Sequence, residues 1–257
     1  MYSLVKDEAK KNSELLYESS SYYKYITTKM QGIASRTAWE VIKFYRSSKF
    51  RPIGFEIRID TDGEIPQLEI SNEDGKHIAN LKGIIDKADM AEINGKNYIA
   101  ITDYKSSSKP LNYNLVQAGV NIQPLLYSDI ICKRMNASPA AMLYMQMTDP
   151  IVKLSANSGG ISPSELEKEV NKKVAINGWM TDDAAVISDY SSGGENGEKY
   201  TLTPIPDSEL RERINESNRK IQDSAMGIYN GNIDARPYCD KNYDACQYCL
   251  FSEHCHN

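Results

Sequence analysis

The stretch Ile99-Ala-Ile-Thr-Asp-Tyr-Lys-Ser-Ser-Ser108 runs apolar and then ends in two ionisable residues, Asp103 and Lys105. It reads as a strand. Side chains two residues apart on a strand project to the same face, so Asp103 and Lys105 share a face with Ile99 and Ile101. A carboxylate and an ammonium side by side at the mouth of an apolar strand suit a hard divalent cation and an anionic group respectively. The spacing alone equally describes a surface ion pair at a strand end.

Upstream, Leu81-Lys-Gly-Ile-Ile-Asp86 is a second apolar run that ends in an acid, and Asn94-Gly95 lies between the two runs. Asn-Gly favours a tight hairpin because both central residues need positive φ. A hairpin turning there sets position 103 opposite position 86. Two carboxylates held that close repel unless a proton or a metal lies between them, and a divalent metal is the simplest occupant.

Gly83-x-x-Asp86, Asp103-Tyr-Lys105-Ser and Gln123-x-x-x-Tyr127, in this order, resemble the RecB-like branch of the PD-(D/E)xK nucleases. Phe50-Arg-Pro-Ile-Gly-Phe-Glu56, Gly119-x-x-x-Gln123 and the tail Ala245-Cys-Gln-Tyr-Cys-Leu-Phe-Ser-Glu-His-Cys255 extend the likeness to the C-terminal nuclease domain of the AddB family of helicase–nuclease subunits. The resemblance covers nearly the whole chain. It implies an α/β (mixed α+β) fold of the restriction-endonuclease-like kind, with a mixed central sheet flanked by helices and a Cys-rich C-terminal tail. It implies catalytic Asp86, Asp103, Lys105 and Glu56, and a Mg²⁺ or Mn²⁺ ion on Asp86, Asp103, Glu56 and the Tyr104 backbone carbonyl. Gln123 and Tyr127 would contact DNA, single-stranded or at ends. The implied role is exonucleolytic processing of double-strand breaks beside an AddA-like partner subunit. A degenerate domain that only binds DNA or a partner is the alternative, because the Gly-x-x-x-His helix usual in such domains is not matched ahead of Glu56 and the upstream cysteine is lacking; a zinc-tailed scaffold without catalysis is a third reading, and the missing phosphate-binding helicase loop marks the chain as a nuclease module of a larger subunit or a stand-alone relative of one.

The chain has 257 residues, enough to bury one sizeable core. Residues 1–236 are expected to form the nuclease domain with N-terminal helices, and 237–257 a Cys-rich tail packed on it. The formal net charge of −5 argues against broad nonspecific nucleic-acid binding but allows a local basic groove. No leader-like or membrane-spanning run is apparent, so a cytoplasmic protein without membrane contact is expected.

Periodicity predicts helices over about 3–19 and 22–47, then strands at 53–59, 67–70 and 77–85 that join the Asp103 strand in a four-stranded antiparallel meander. A single helix over 112–135 with a kink at Pro124, a strand over 140–147 and a final helix over 207–229 complete the expectation. The cations Lys43, Arg46, Lys49 and Arg51 read as a DNA path or as a solvated helix end. Residues 154–203 carry no assigned chemistry, apart from a capping box at Ser162-x-x-Glu165.

Cys246, Cys249 and Cys255 cluster, Cys239 lies just upstream, and Cys132 stands alone as a small buried hydrophobe. In a reducing compartment such clustering points to a metal, either zinc, with His254 and His256 as possible substitutes, or iron–sulfur. The resemblance implies a [4Fe-4S] cluster whose fourth ligand is an upstream cysteine that this sequence lacks, with Cys239 as its possible replacement.

Overall fold

The structure, a computed structural model, describes residues 2–12, 20–106, 111–148, 162, 164–166, 169–170, 176–191, 200–241, 243–247 and 249–251. Two helices lead, α1 (Tyr2–Asn12) and the long α2 (Ser21–Ser47). Five strands follow: β1 (Arg51–Ile59), β2 (Leu68–Ser71), β3 (His77–Leu81), β4 (Gly83–Ile93) and β5 (Lys96–Lys105). Next come α3 (Tyr113–Gln117), α4 (Gln123–Met135), β6 (Ser138–Gln146), β7 (Ile176–Thr181), α5 (Ala184–Ser191), β8 (Tyr200–Ile205) and α6 (Asp207–Tyr229).

Six strands form one mixed sheet in the order β1-β4-β5-β6-β7-β8. β5 pairs antiparallel with β4 but parallel with β6, and β7 pairs parallel with β8. The β4–β5 hairpin turns at Asn94 and Gly95, both at positive φ, as the dipeptide predicts. Every residue of β6 is buried, which is why it reads as a continuous apolar run rather than an alternation.

Alternation along β5 sorts the core. Ala100 packs with Phe44, Phe50 and Tyr190, so α2 and α5 cover one face. Ile99 and Ile101 pack with Leu126, Ile130 and Ile131 of α4 on the other. Met142 and Tyr144 of β6 continue that second face, under Leu210 and Ile214 of α6.

Two expectations are corrected. The three strands expected ahead of Asp103 do not join its strand in one meander: the 77–85 stretch is divided between β3 and β4, β2 and β3 pair only with each other, and β1 pairs with β4. The chain changes sheets at Lys82-Gly83, where a Cβ on Gly83 would lie 2.7 Å from the Tyr127 hydroxyl, so α4 packs tightly against this corner. Second, 112–135 is two helices. The chain breaks after Gln117 and passes through Gly119 at φ +79, and Pro124 falls in the first turn of α4, where no backbone donor is required. The capping box is present: the Ser162 N–H donates to Glu165 Oε2 at 3.0 Å, and the Glu165 N–H donates to Ser162 Oγ at 3.3 Å. The glycine-rich segments at 159–160 and 192–194 lie outside the described residues.

Gly178 of β7 carries a packing requirement that no turn signal announces. A Cβ there would sit 2.0 Å from the Met142 carbonyl oxygen, against rigid backbone. Gly95, at φ +76, meets nothing within 4 Å and requires only its backbone conformation. Gly178→Ala is therefore expected to cost about 3 kcal/mol through forced strand displacement, and Gly95→Ala about 1 kcal/mol through left-handed backbone alone. Denaturant titration of the two variants checks the order, and equal losses would contradict it.

Candidate active site

The β4–β5 ladder runs from Ile93↔Lys96 to Lys87↔Thr102 and ends there. Beyond it β4 continues on β1, and β5 continues on β6 as far as Lys105↔Gln146. The two central strands thus part at the next register position, which holds Asp86 and Asp103. Asp86 fills the gap: its Oδ2 accepts the Tyr104 backbone N–H at 2.7 Å. A strand residue directs its N–H and C=O to the same edge, so the Tyr104 carbonyl faces this gap too. Lys105 turns the other way, its carbonyl accepting the Met147 N–H at 2.8 Å.

Asp103 is 7% exposed. Its buried Oδ2 is ion-paired with Lys105 Nζ at 2.5 Å. Burial pushes the Asp103 carboxyl above its ordinary value; the Lys105 ammonium opposes the rise and the Asp86 carboxylate adds to it. Lys105 Nζ also sits 4.9 Å from the ring centroid of Tyr144, the β6 neighbour of Asp103. Tyr144 is thus a floor for the lysine. No sequence signal marks it, because a tyrosine in an apolar strand gives no sign of which cation it meets.

A buried carboxylate paired to a lysine, beside a second carboxylate and a gap-facing carbonyl, is an all-oxygen donor set, which fits Mg²⁺ or Mn²⁺. Asp86, Asp103 and the Tyr104 carbonyl would hold such an ion.

Glu56 lies on β1 between the pairs Phe55↔Lys87 and Ile57↔Ile85, hence at the register position of Asp86. It is exposed, and its φ of +52 makes it one of three non-glycine residues at positive φ among the described residues. The other two, Asn94 and Asn136, occupy a hairpin turn and a helix C-cap. Glu56 is within electrostatic reach of Tyr104, whose hydroxyl is pushed up to about 12 by burial, then by Asp89, Asp86 and Glu56.

Tyr127 is 6% exposed and packs in the core below the site, its hydroxyl against Gly83. Burial raises its hydroxyl, with smaller contributions from Asp103 and Asp86, which puts it near both carboxylates. Gln123, one turn earlier on α4, is exposed. His77 is remote from this constellation, bonding Asn80 Oδ1 at 2.9 Å in the β2–β3 hairpin. Of the four basic residues around the end of α2, the side chains of Lys43, Arg46 and Arg51 meet neighbours on or near the helix, and Lys49 is tied by its backbone. Lys43 pairs with Glu40, Lys43 and Arg46 flank the Trp39 ring, the Lys49 backbone N–H donates to Asp189, and Arg51 donates to the Ser48 and Phe50 carbonyls.

On the opposite face of β4 a second polar group is fully buried. Lys87 and Asp89 pair at 2.7 Å, and the Tyr45 hydroxyl donates to Asp89 at 2.5 Å. These charges satisfy one another within the core.

In the tail, Cys239, Asp244 and Cys246 converge, whereas Cys255, His254 and His256 lie outside the described residues. Cys132 is buried on α4, and burial pushes its thiol up to about 11, as befits a packing residue.

A family model described as the PD-(D/E)XK nuclease superfamily matches residues 3–256. A Clostridium botulinum protein is 28% identical over 275 residues, covering 98% of this chain and 23% of its own length. Proteins of Oceanobacillus iheyensis and a Thermoanaerobacter species are 29% and 30% identical, covering 93% and 95% of this chain and 22% of each relative. All three are named as the same subunit of an ATP-dependent helicase/deoxyribonuclease, the AddB type that the motif order resembles. The chain therefore spans less than a quarter of the length of these relatives. With the family pattern running from end to end, and two acids and a lysine where its central strands part, the chain belongs to the PD-(D/E)XK nuclease superfamily.

Proposed function

We propose that this chain is a metal-dependent DNA nuclease module that hydrolyses phosphodiester bonds exonucleolytically during double-strand break processing. The observation that carries the reading is the parting of β4 and β5, which sets Asp86 beside the buried Asp103 carboxylate and its paired lysine over an aromatic floor. Mg²⁺ or Mn²⁺, when bound, polarises the phosphodiester and makes a coordinated water more acidic.

The chain's own groups do the rest. Asp86, Asp103 and the Tyr104 carbonyl would hold the cation, and Asp86 also fixes the Tyr104 amide, which keeps the Tyr104 carbonyl turned to the gap. Lys105, steadied between Asp103 and the Tyr144 face, places its ammonium where phosphate oxygens gain charge. Glu56 orients a water or a second cation at the mouth. Gln123 contacts the DNA backbone from the start of α4, with Tyr127 setting the helix against Gly83. The names of the relatives support a helicase–deoxyribonuclease assembly; in our reading the module acts there on a single strand or an end beside an AddA-like partner. Among the described residues no helix is long and apolar enough to cross a membrane.

Degradation of linear single-stranded DNA with Mn²⁺ tests the reading directly. The parent chain is expected to cut, and Asp103→Asn and Lys105→Ala to lose about 10²–10³-fold in rate with folding intact. A parent that neither cuts nor binds Mn²⁺ calorimetrically would leave a DNA- or partner-binding scaffold as the surviving reading.

Replacing the floor, Tyr144→Leu, keeps the core filled but removes the ring beneath Lys105. A fall of about 5–30-fold in rate, the worth of one desolvated cation–π contact, is expected, with Mn²⁺ affinity held. Loss of Mn²⁺ affinity instead would assign Tyr144 to shaping the carboxylates.

Asp103 also sets a pH dependence. Its carboxyl is held above its ordinary value, so it favours the folded state at pH below the unfolded-chain value of about 3.9. That contribution is lost as pH rises through the raised folded value. At pH 8 the ionised group costs stability. Metal-free Asp103→Asn is expected to melt higher than the parent at pH 8, by roughly 2–4 °C per kcal/mol, and the gap closes on acidification. An unchanged or lower melting temperature at pH 8 would show that the Lys105 pair outweighs burial.

A further inference from the structure

One face of α2 carries a pattern that core packing does not explain. Positions 22, 25, 29, 32, 36, 39, 43 and 46 are alternately three and four residues apart, so they line a single stripe along the helix for about 36 Å. The stripe holds the aromatics Tyr22, Tyr25 and Trp39 and the cations Lys29, Arg36, Lys43 and Arg46. It holds no acid. Tyr22 is 67% exposed, Tyr25 61% and Trp39 49%, and a Cβ added to Gly32 between them would meet nothing within 4 Å. The stripe is therefore largely open to solvent.

Two of its cations gather on the indole. Lys43 Nζ lies 5.6 Å and the Arg46 guanidinium carbon 5.7 Å from the Trp39 ring centroid. The single acid of α2, Glu40, is buried 3.3 Å from Lys43 Nζ, against five Lys and Arg residues on the same helix. A solvated helix face ordinarily mixes both signs of charge and carries few large apolar groups. One sign interleaved with exposed rings is instead the composition that holds a nucleic-acid single strand, because rings take base faces while cations track phosphates. In a chain of net charge −5 this concentration of positive charge is local.

Arg36 shows where the stripe runs. Its Nη1 donates to the Thr148 carbonyl at 3.4 Å, two residues past the end of β6, and the neighbouring Met147 N–H is bonded to the Lys105 carbonyl. The middle of the stripe thus lies at the end of the sheet that bears Lys105.

We propose that this face of α2 binds a single strand of DNA, with one base stacked on Trp39, the adjoining phosphates on Lys43 and Arg46, and the strand continuing over Lys29 and Tyr25. Such contacts read no base edges, so binding is indifferent to sequence. The identity of the strand rests on the nuclease reading above. The binding itself does not, since it involves neither the paired carboxylates nor a metal.

Titration with oligodeoxythymidylate in EDTA, where no hydrolysis proceeds, tests the stripe. The chain has two tryptophans and Trp179 is only 6% exposed, so a change of emission on binding reports on Trp39. Expected is quenching of that emission, absent in Trp39→Phe. Anisotropy of a labelled oligonucleotide should show Trp39→Phe keeping most of the affinity and Trp39→Ala losing about 5–100-fold. Arg46→Ala should lower the slope of log affinity against log salt by about 0.7. Full affinity in Trp39→Ala would overturn the proposal, as would quenching by phosphatidylserine vesicles and not by the oligonucleotide. When Mn²⁺ replaces EDTA, a chain that quenches without cutting upholds the stripe and sinks the nuclease reading. Cutting with Trp39 emission unchanged does the reverse.

Discussion

Two carboxylates occupy facing positions at the point where one strand pair ends, and much of the architecture serves to hold them there. The Asn94-Gly95 turn fixes the register, and a slip of one residue would send Asp103 through the sheet to the opposite face. The parallel β5–β6 pairing then carries Asp103 and Lys105 past the end of the β4 ladder. Had β4 stayed paired with β5, the Tyr104 N–H and carbonyl would be engaged in the ladder. Because the strands part, Asp86 takes the N–H and the carbonyl faces the gap.

Charge is managed differently on the two sides of the same strands. Facing α2, Lys87, Asp89 and Tyr45 form a buried set in which each partner meets another, the condition under which burial of charge is tolerable. Facing α4, buried Asp103 is paired with Lys105 and has a like charge nearby. The first arrangement is self-satisfied; the second sets two carboxylates against one lysine. Neighbouring residues of one short motif, Asp86 to Asp89, thus serve opposite ends.

Which parts of this are legible in the sequence follows from the range of the interactions involved. The hairpin, Asp86 opposite Asp103, the shared face of Asp103 and Lys105, and the bounds of the last helix all rest on local rules of turn chemistry and alternation. Pro124 misleads because a proline inside an apolar periodicity looks like a kink, and only the break before it reveals a helix start. The β2–β3 hairpin misleads because alternation cannot say which sheet a strand joins. Tyr144 is invisible, since its contact with Lys105 crosses a parallel pairing between strands separated by two helices. Asp244 does not stand out between cysteines because its convergence with Cys239 and Cys246 depends on a fold-back without a strong turn signature.

Glu56 shows how the backbone answers a crowding of acids. By register it sits across from Asp86, and regular alternation would put a third carboxylate on the face that already holds Asp86 and Asp103. Instead its φ of +52 breaks the alternation: Phe55 and Glu56 are both exposed, and Ile57 and Ile59 beyond them are buried. A non-glycine residue in that conformation costs on the order of 1–3 kcal/mol, and it persists only where the surroundings fix it. Here they do, since Ile57 and Ile59 anchor the strand on one side and the pairs of Phe55 and Gly54 with β4 anchor it on the other. Glycine at this position would relieve the strain but remove the carboxylate. That acid stands exposed at the register position of Asp86, at the mouth of the gap and not buried beside Asp103.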